Sequence, residues 1–252
     1  MHSKKKQAIY ISDLTHTAQG IGASGFPLGA SYVCSYAKKI IGNEFDFRLF
    51  KIPAHLSEAL GNLSPTILSF SNYSWNFELG YKFASLAKQR DPKVITVFGG
   101  PNFPTNQNEK LEFLQTRPAI DFYIELEGEL GFVYLVQNLI KYNFEATQLK
   151  QDGKKIINTC YIHENQLISG LIERIKDINV IPSPYLTGIL DQYFELPLIP
   201  MVETTRGCPF SCTFCADGLA VKNKINRYDF QRTKEELNYI AKNIRNVDEL
   251  II

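Results

Sequence analysis

Three cysteines, Cys208, Cys212 and Cys215, stand at spacing C-x3-C-x2-C. They follow an apolar, strand-like run, Leu198-Ile199-Pro200-Met201-Val202, and the stretch Glu203-Thr204-Thr205-Arg206-Gly207. Thiolate is the ligand that iron–sulfur clusters and zinc select, so three on one short loop can hold a soft metal centre. A four-iron cluster ordinarily takes four cysteines, and a loop offering three leaves one iron open for a substrate or cofactor. A structural zinc site is instead closed by four ligands. No cysteine or histidine follows Cys215, and the nearest earlier candidates are Cys160 and His163. The pattern therefore favours a cluster over zinc.

The elements that must carry this loop can be read from periodicity. Strand-like runs fall at 8–11, 45–50, 66–70, 94–98 and 121–124, each rich in aliphatic and aromatic residues. Between them, Ala30, Val33, Cys34 and Ala37 recur at i, i+3, i+4 and i+7, as do Phe132, Leu135, Val136 and Leu139. Leu79, Phe83 and Leu86 mark a further helix, and a short one is expected around Leu56–Leu60. Strands alternating with helices predict an α/β, doubly wound parallel sheet, Rossmann-like, over residues 1–142. Residues 143–197 read as a linker with a β-hairpin, Lys154–Thr159 and Cys160–Ile168 turning near Glu164-Asn165, then a Pro-Ser-Pro-Tyr break at 182–185. From 198 to 252 the order is strand, cysteine loop, helix, strand. A capping box is expected at Thr233–Glu236, and the helix after it is expected to bury Leu237, Ile240, Ala241 and Ile244.

Ligands in doubly wound sheets sit at the carboxyl ends of the strands. The loops there are 12–25, 71–76, 99–102 and 125–129, and their glycines let backbone approach a ligand closely. Gly20-Ile21-Gly22-Ala23-Ser24-Gly25 spells G-x-G-x-x-G, the dinucleotide fingerprint. That fingerprint needs its first glycine at the strand end and the helix starting within it; here Pro27 stands where the helix would already run. The stretch is expected to be a plain flexible loop. Glu127 and Glu129 could form an acid–base pair, but Glu129 suits a helix N-terminus and Glu127 a loop contact.

Glu203–Gly207 followed by Cys-Pro-Phe-Ser-Cys-Thr-Phe-Cys resembles the cluster loop of the radical S-adenosylmethionine (SAM) enzymes. The Gly99-Gly100-Pro101 and Glu127-Gly128-Glu129 loops, with those at 12–25 and 71–76, resemble the cobalamin (B12)-binding domain of one subgroup of that family. The resemblance implies that Cys208, Cys212 and Cys215 ligate a [4Fe-4S] cluster whose open iron chelates SAM. An electron from it would yield a 5′-deoxyadenosyl radical. It further implies cofactor-binding roles for Phe214 beside the third cysteine, and for Ser71, Gly99, Gly100, Pro101, Glu127 and Gly128 at the strand ends. The implied reaction is methylation of an unactivated carbon through cobalamin, with an electron donor such as ferredoxin or flavodoxin and a small-molecule or peptide substrate. The subgroup's histidine pattern for cobalt, D-x-H-x-x-G, is matched only loosely by Asp13, His16 and Gly20, with an extra residue in each gap. A complete barrel of this family has several more βα units than 198–252 supplies, so this stretch is expected to cleave SAM poorly by itself. Two other classes stay open: a non-catalytic cobalamin-binding or sensing module, and a zinc-stabilised regulatory protein.

Composition narrows the partners. With 252 residues, 44% hydrophobic content and a net charge of +1, the chain can bury a large core and carries no charge footprint for nucleic acid or an acidic membrane. No apolar run is long enough to span a bilayer. Five cysteines, three of them crowded, do not make a disulfide framework, which suits a soluble, cytoplasmic protein. Cys34 and Cys160 are expected to be inert core residues.

Overall fold

The computed structural model describes residues 6–42, 44–213, 215, 218 and 220–252. Five parallel strands form the centre: β1 (Gln7–Ser12), β2 (Phe45–Phe50), β3 (Ile67–Ser71), β4 (Ile95–Gly99) and β5 (Phe122–Ile124). β1, β3, β4 and β5 are buried on both faces and read as near-continuous apolar runs, whereas edge strand β2 alternates, with Asp46 half-buried and Arg48 exposed. Two antiparallel strands, β6 (Thr159–His163) and β7 (Gln166–Ser169), extend the same sheet, whose order is β2-β1-β3-β4-β5-β6-β7. The hairpin foreseen after residue 143 is thus part of the sheet. Tyr123 pairs with Cys160 and Ile124 with Thr159, and the hairpin turns at Glu164 and Asn165 with φ of 48° and 60°. Two successive positive φ values are the mark of a type I′ turn, whose twist matches that of the flanking strands.

Helices cover both faces. On one side lie α1 (Leu28–Ile41) and α5 (Gly128–Lys141), which share a core with Ile9, Ile11, Phe122 and Ile124. On the other lie α2 (Pro53–Asn62), α3 (Phe77–Arg90) and α4 (Gln107–Gln115), packed on Tyr10, Leu68, Phe70 and Phe98. A short α6 (Ala146–Gln151) precedes the hairpin. Of the Leu79, Phe83 and Leu86 that mark α3, the first two pack half-buried against the core and Leu86 is exposed, while Phe77, Gly80, Ala84 and Ala87 are buried. The cause is Phe70 in the sheet below. A Cβ at Gly80 would already lie 3.2 Å from its ring, so only small residues fit beneath that turn.

The C-terminal part packs on the α1/α5 face. Ile175, Ile178, Ile181, Tyr185, Leu190, Tyr193, Phe194 and Leu198 join that core, where Phe26 meets Phe194 edge-on at 5.1 Å. The apolar runs 198–202 and 247–252 touch in parallel through one bridge, Met201 to Ile251, rather than as full strands. Between them runs α7 (Phe230–Asn243). The expected capping box is not formed. The helix starts at Phe230 with Asp229 as N-cap, and Thr233 already lies within the first turn, its N–H bonded to Asp229 O. Arg232 and Glu236 form a buried i,i+4 pair at 3.0 Å, and that pair sets the inward face with Ile240. Ala241 is exposed as a result, and Leu237 and Ile244 are half-buried. No described helix is long and apolar enough to cross a membrane.

Candidate functional site

The chain leaves β1 toward β2 on one side and β3 toward β4 on the other, so the crevice between the ends of β1 and β3 is the switch point of the sheet. Asp13 sits at its floor. Its Oδ1 accepts hydrogen bonds from Ser71 Oγ (2.5 Å) and Asn76 Nδ2 (3.1 Å), and its Oδ2 pairs with Lys51 Nζ at 3.0 Å. Lys51 is only 4% exposed, so this ion pair replaces most of the ammonium's water. On the rim, Tyr73 and Trp75 stack at 4.5 Å between centroids, and Trp75 is 53% exposed. Burial, with the Asp13 charge adding to it, pushes the Tyr73 phenol up to about 12, so it stays a neutral donor. His16 Nε2 lies 3.0 Å from the Trp75 carbonyl, to which it must donate. Ser12 Oγ, at the very end of β1, is buried without a partner.

A second polar cluster joins the ends of β3, β4 and β5. Asn72 and Asn102 exchange side-chain hydrogen bonds, Asn72 Nδ2 to Asn102 O at 2.7 Å and Asn102 Nδ2 to Asn72 Oδ1 at 3.0 Å. The Tyr123 hydroxyl donates to Gly100 O at 2.9 Å. Gly100 has φ of +132°, and a Cβ there would stand 2.6 Å from Asn72 O. Glycine is required at that point because one loop lies directly on the other. Ser71, Gly99 and Gly100 are therefore brought together around Asn72, with Pro101 exposed beside them. Glu127 and Gly128 stand apart from that group. The Glu127 carboxylate faces Arg174 (3.1 Å) and the Ile175 amide (2.5 Å), and a Cβ on Gly128 would meet Val33 Cγ2 at 2.9 Å.

The glycine-rich loop is not free of contacts. Gly22 N bonds His16 O, Ala23 N bonds Thr15 Oγ1, and Phe26 N bonds Ile199 O. A Cβ at Gly25 would lie 2.6 Å from Met201 Sδ, which gives that glycine a packing reason unrelated to phosphate.

The cysteine loop rises from a two-stranded ribbon that sequence periodicity missed, β8 (Thr205–Arg206) against β9 (Asn226–Arg227). Two residues per strand are too few to register as a pattern. Gly207 opens the loop at φ +108°, where a Cβ would be 2.3 Å from Lys224 O. Cys208 N bonds Lys222 O at 3.0 Å, Cys215 N bonds Cys212 O at 3.1 Å, and Gly218 N bonds Cys215 O at 3.0 Å. Cys208 is half-buried and Cys212 and Cys215 are exposed; Phe214 lies outside the described residues. Among the described residues no three His, Cys, Asp or Glu side chains converge to hold a metal ion. Cys34 and Cys160 are of another kind: burial raises the Cys34 thiol to about 11 and raises that of Cys160 strongly, so both stay inert thiols.

Buried charge surrounds the ribbon. Arg206 forks onto Glu203 (Nε to Oε1 3.1 Å, Nη2 to Oε2 2.8 Å) and reaches Glu129 at 2.9 Å. Burial opposes the charge on Arg206, but the Glu129 and Glu203 carboxylates outweigh it and hold its pKa above the ordinary value. Its guanidinium also lies over the Tyr32 ring, 5.7 Å from the centroid. None of these partners could be read from the sequence, because each is set by tertiary placement.

A parallel sheet with this strand order, a polar switch-point crevice and glycine-packed strand-end loops define an α/β ligand-binding domain, and residues 17–136 match the family described as B12 binding domain. The chain is 29% identical over 245 residues to 2-(S-pantetheinyl)-carbapenam-3-carboxylate methyltransferase of Streptantibioticus cattleyicolor, across 92% of this chain and 34% of that protein. It is 29% identical over 239 residues to the cobalamin-dependent radical SAM methyltransferase TokK of Streptomyces tokunonensis, across 90% of this chain and 33% of that one. Among solved structures, the cobalamin-dependent SAM radical enzyme OxsB with aqua-cobalamin and SAM bound superposes with a TM-score of 0.68 at 17% identity. That likeness covers 94% of this chain and 32% of that one, and it is a likeness of fold. The chain is thus similar to cobalamin-dependent radical SAM enzymes along most of its length, with the B12-binding match confined to residues 17–136. It spans about a third of the length of these curated relatives.

For a large ligand the rim offers the exposed Trp75 ring, and beneath it Ser12 keeps a buried hydroxyl with no partner. The cysteine loop fits a cluster by its donor set, three thiols on a path fixed by Gly207 and Gly218.

Proposed function

We propose that this chain is part of a cobalamin-dependent radical SAM methyltransferase acting on an unactivated carbon. The observation that carries the reading is that a loop of three cysteines is bonded to the carboxyl-end turn of a B12-binding sheet, through Arg206 and Glu129. When bound, the cofactors supply the chemistry: a [4Fe-4S] cluster the electron that cleaves SAM, and cobalamin the methyl group. The chain's residues bind and orient them. Trp75 offers a flat apolar face at the crevice, Gly99, Gly100 and Pro101 admit the ligand close to backbone, and Ser12 and Ser71 supply hydroxyls. His16 would reach cobalt through Nε2 only by giving up its bond to the Trp75 carbonyl. Cys208, Cys212 and Cys215 would be the cluster ligands, and Phe214 would contribute to SAM binding. The similarity of two relatives that are themselves methyltransferases supports the reaction class. Residues 1–142 would be the cobalamin domain, 143–197 the connection and 198–252 the opening of the radical SAM domain.

Titration with hydroxocobalamin, followed in the visible spectrum, tests the crevice. The parent should bind, and Trp75→Ala and Gly100→Ala should each weaken binding by about tenfold, near 1.4 kcal/mol. Unchanged affinity in both variants would move the cobalamin elsewhere.

A further inference from the structure

The carboxylates of the Glu127-Gly128-Glu129 turn are both occupied, Glu129 by the outgoing limb of the cysteine loop and Glu127 by the Arg174-Ile175 segment, which in turn bonds the returning limb. Glu129, 4% exposed, holds Arg206 at 2.9 Å, two residues before Cys208 on the outgoing limb. Glu127, 5% exposed, holds Arg174 at 3.1 Å, and Arg174 Nη1 donates to Lys224 O at 2.7 Å on the returning limb. Glu127 also accepts from the Ile175 amide, and the Ile175 carbonyl accepts from Asn226 Nδ2 at 3.1 Å in β9. The limbs are tied to each other where Cys208 N bonds Lys222 O. Gly128, between the carboxylates, lets the turn lie flush on α1 at Val33. One turn at the start of α5 therefore grips the loop on both sides.

We infer that Glu127 and Glu129 are positioning residues that fix the two limbs of the Cys208–Cys215 loop on the carboxyl end of the B12-binding sheet. They thereby set where the cluster stands relative to the crevice. What the loop holds rests on the function proposed above; the grip does not. Neither carboxylate is left free to contact cobalamin, which separates this role from that of Ser71, Gly99 and Gly100. Neutralising either one leaves a buried arginine short of a partner, and such a loss loosens local structure. Glu203 still pairs Arg206 when Glu129 is neutralised, so the fold survives.

The test uses Glu127→Gln and Glu129→Gln in the whole chain. Amide hydrogen exchange of the metal-free protein should quicken by about tenfold or more, at 205–208 in Glu129→Gln and at 221–227 in Glu127→Gln. Hydroxocobalamin affinity should stay within about twofold of the parent. After anaerobic loading with iron and sulfide, both variants should keep less than about half the parent's iron, and the reduced cluster's electron paramagnetic resonance (EPR) signal should broaden. Glu129→Asp, which keeps the charge, should recover part of the protection. Unchanged exchange in both limbs overturns the inference, as does a loss of cobalamin affinity with exchange unaltered. If the parent takes up no iron while the exchange shifts persist, the grip stands and the functional reading alone falls.

Discussion

The switch-point crevice and the cysteine loop are built by opposite means. In the crevice, Asp13, Ser71, Asn76 and Lys51 satisfy one another inside the sheet's own layers, and Asn72, Asn102 and Tyr123 close a second network beside them. Ser12 Oγ alone among these crevice side chains has no partner. Among the described residues of the cysteine loop, Phe210, Cys212 and Cys215 are exposed, and two glycines and ion pairs to other elements set its limbs. A preformed crevice pays ordering entropy during folding, whereas a loop that gathers its ligands pays it when metal binds. The two regions therefore differ in how their order is maintained, the first by internal hydrogen bonds and the second by ties to other elements.

The largest effect that could break the comparison is in the crevice floor. Asp13→Ala strands Lys51, which is 4% exposed, and should cost about 3–5 kcal/mol in urea unfolding as well as cobalamin binding. A loss under 1 kcal/mol would mean that the crevice is not an integral part of the core.

Asp121 sharpens the contrast from the other end of the sheet. It immediately precedes β5 at the amino end, accepts from Thr96 N and Oγ1, and pairs with Lys150 at 3.1 Å and with Lys88. Burial works against its charge, but Lys150, Lys88 and the Thr96 bonds prevail and lower its pKa below the ordinary 3.8. A depressed carboxylate contributes stability that is present above its unfolded pKa and is lost as pH falls through the folded one. Asp121→Asn should therefore lower stability at pH 7, by about 2 kcal/mol, with the difference from the parent shrinking below pH 4. Cobalamin affinity should not change. A pH-independent difference would show that the charge is not what stabilises.

Much of the sheet was legible in the sequence, because strands buried on both faces announce themselves as apolar runs. The hairpin turn was legible from Glu164-Asn165, but not its place in the sheet, since pairing with β5 is a long-range choice. The α3 face was misread because hydrophobicity pointed to Leu86, while the fit against Phe70 favoured Gly80 and the alanines. The capping box failed because α7 starts earlier, at Phe230 after Asp229, which puts Thr233 inside the first turn with its N–H bonded to Asp229 O. At the site, the three cysteines and the strand-end glycines were readable as motifs. Lys51 and Asn76, and the partners of Glu127 and Glu129, were not, because their roles come from what tertiary packing sets beside them.

The most direct test of the central claim, that one sheet end carries both cofactors, is anaerobic loading of the parent and of Cys212→Ala with iron, sulfide and hydroxocobalamin. Iron, labile sulfide and cobalamin are then counted per chain. The account predicts about four irons and one cobalamin in the parent, and loss of most of the iron with cobalamin retained in Cys212→Ala. A parent that binds cobalamin but no iron, or one zinc in its place, would contradict it.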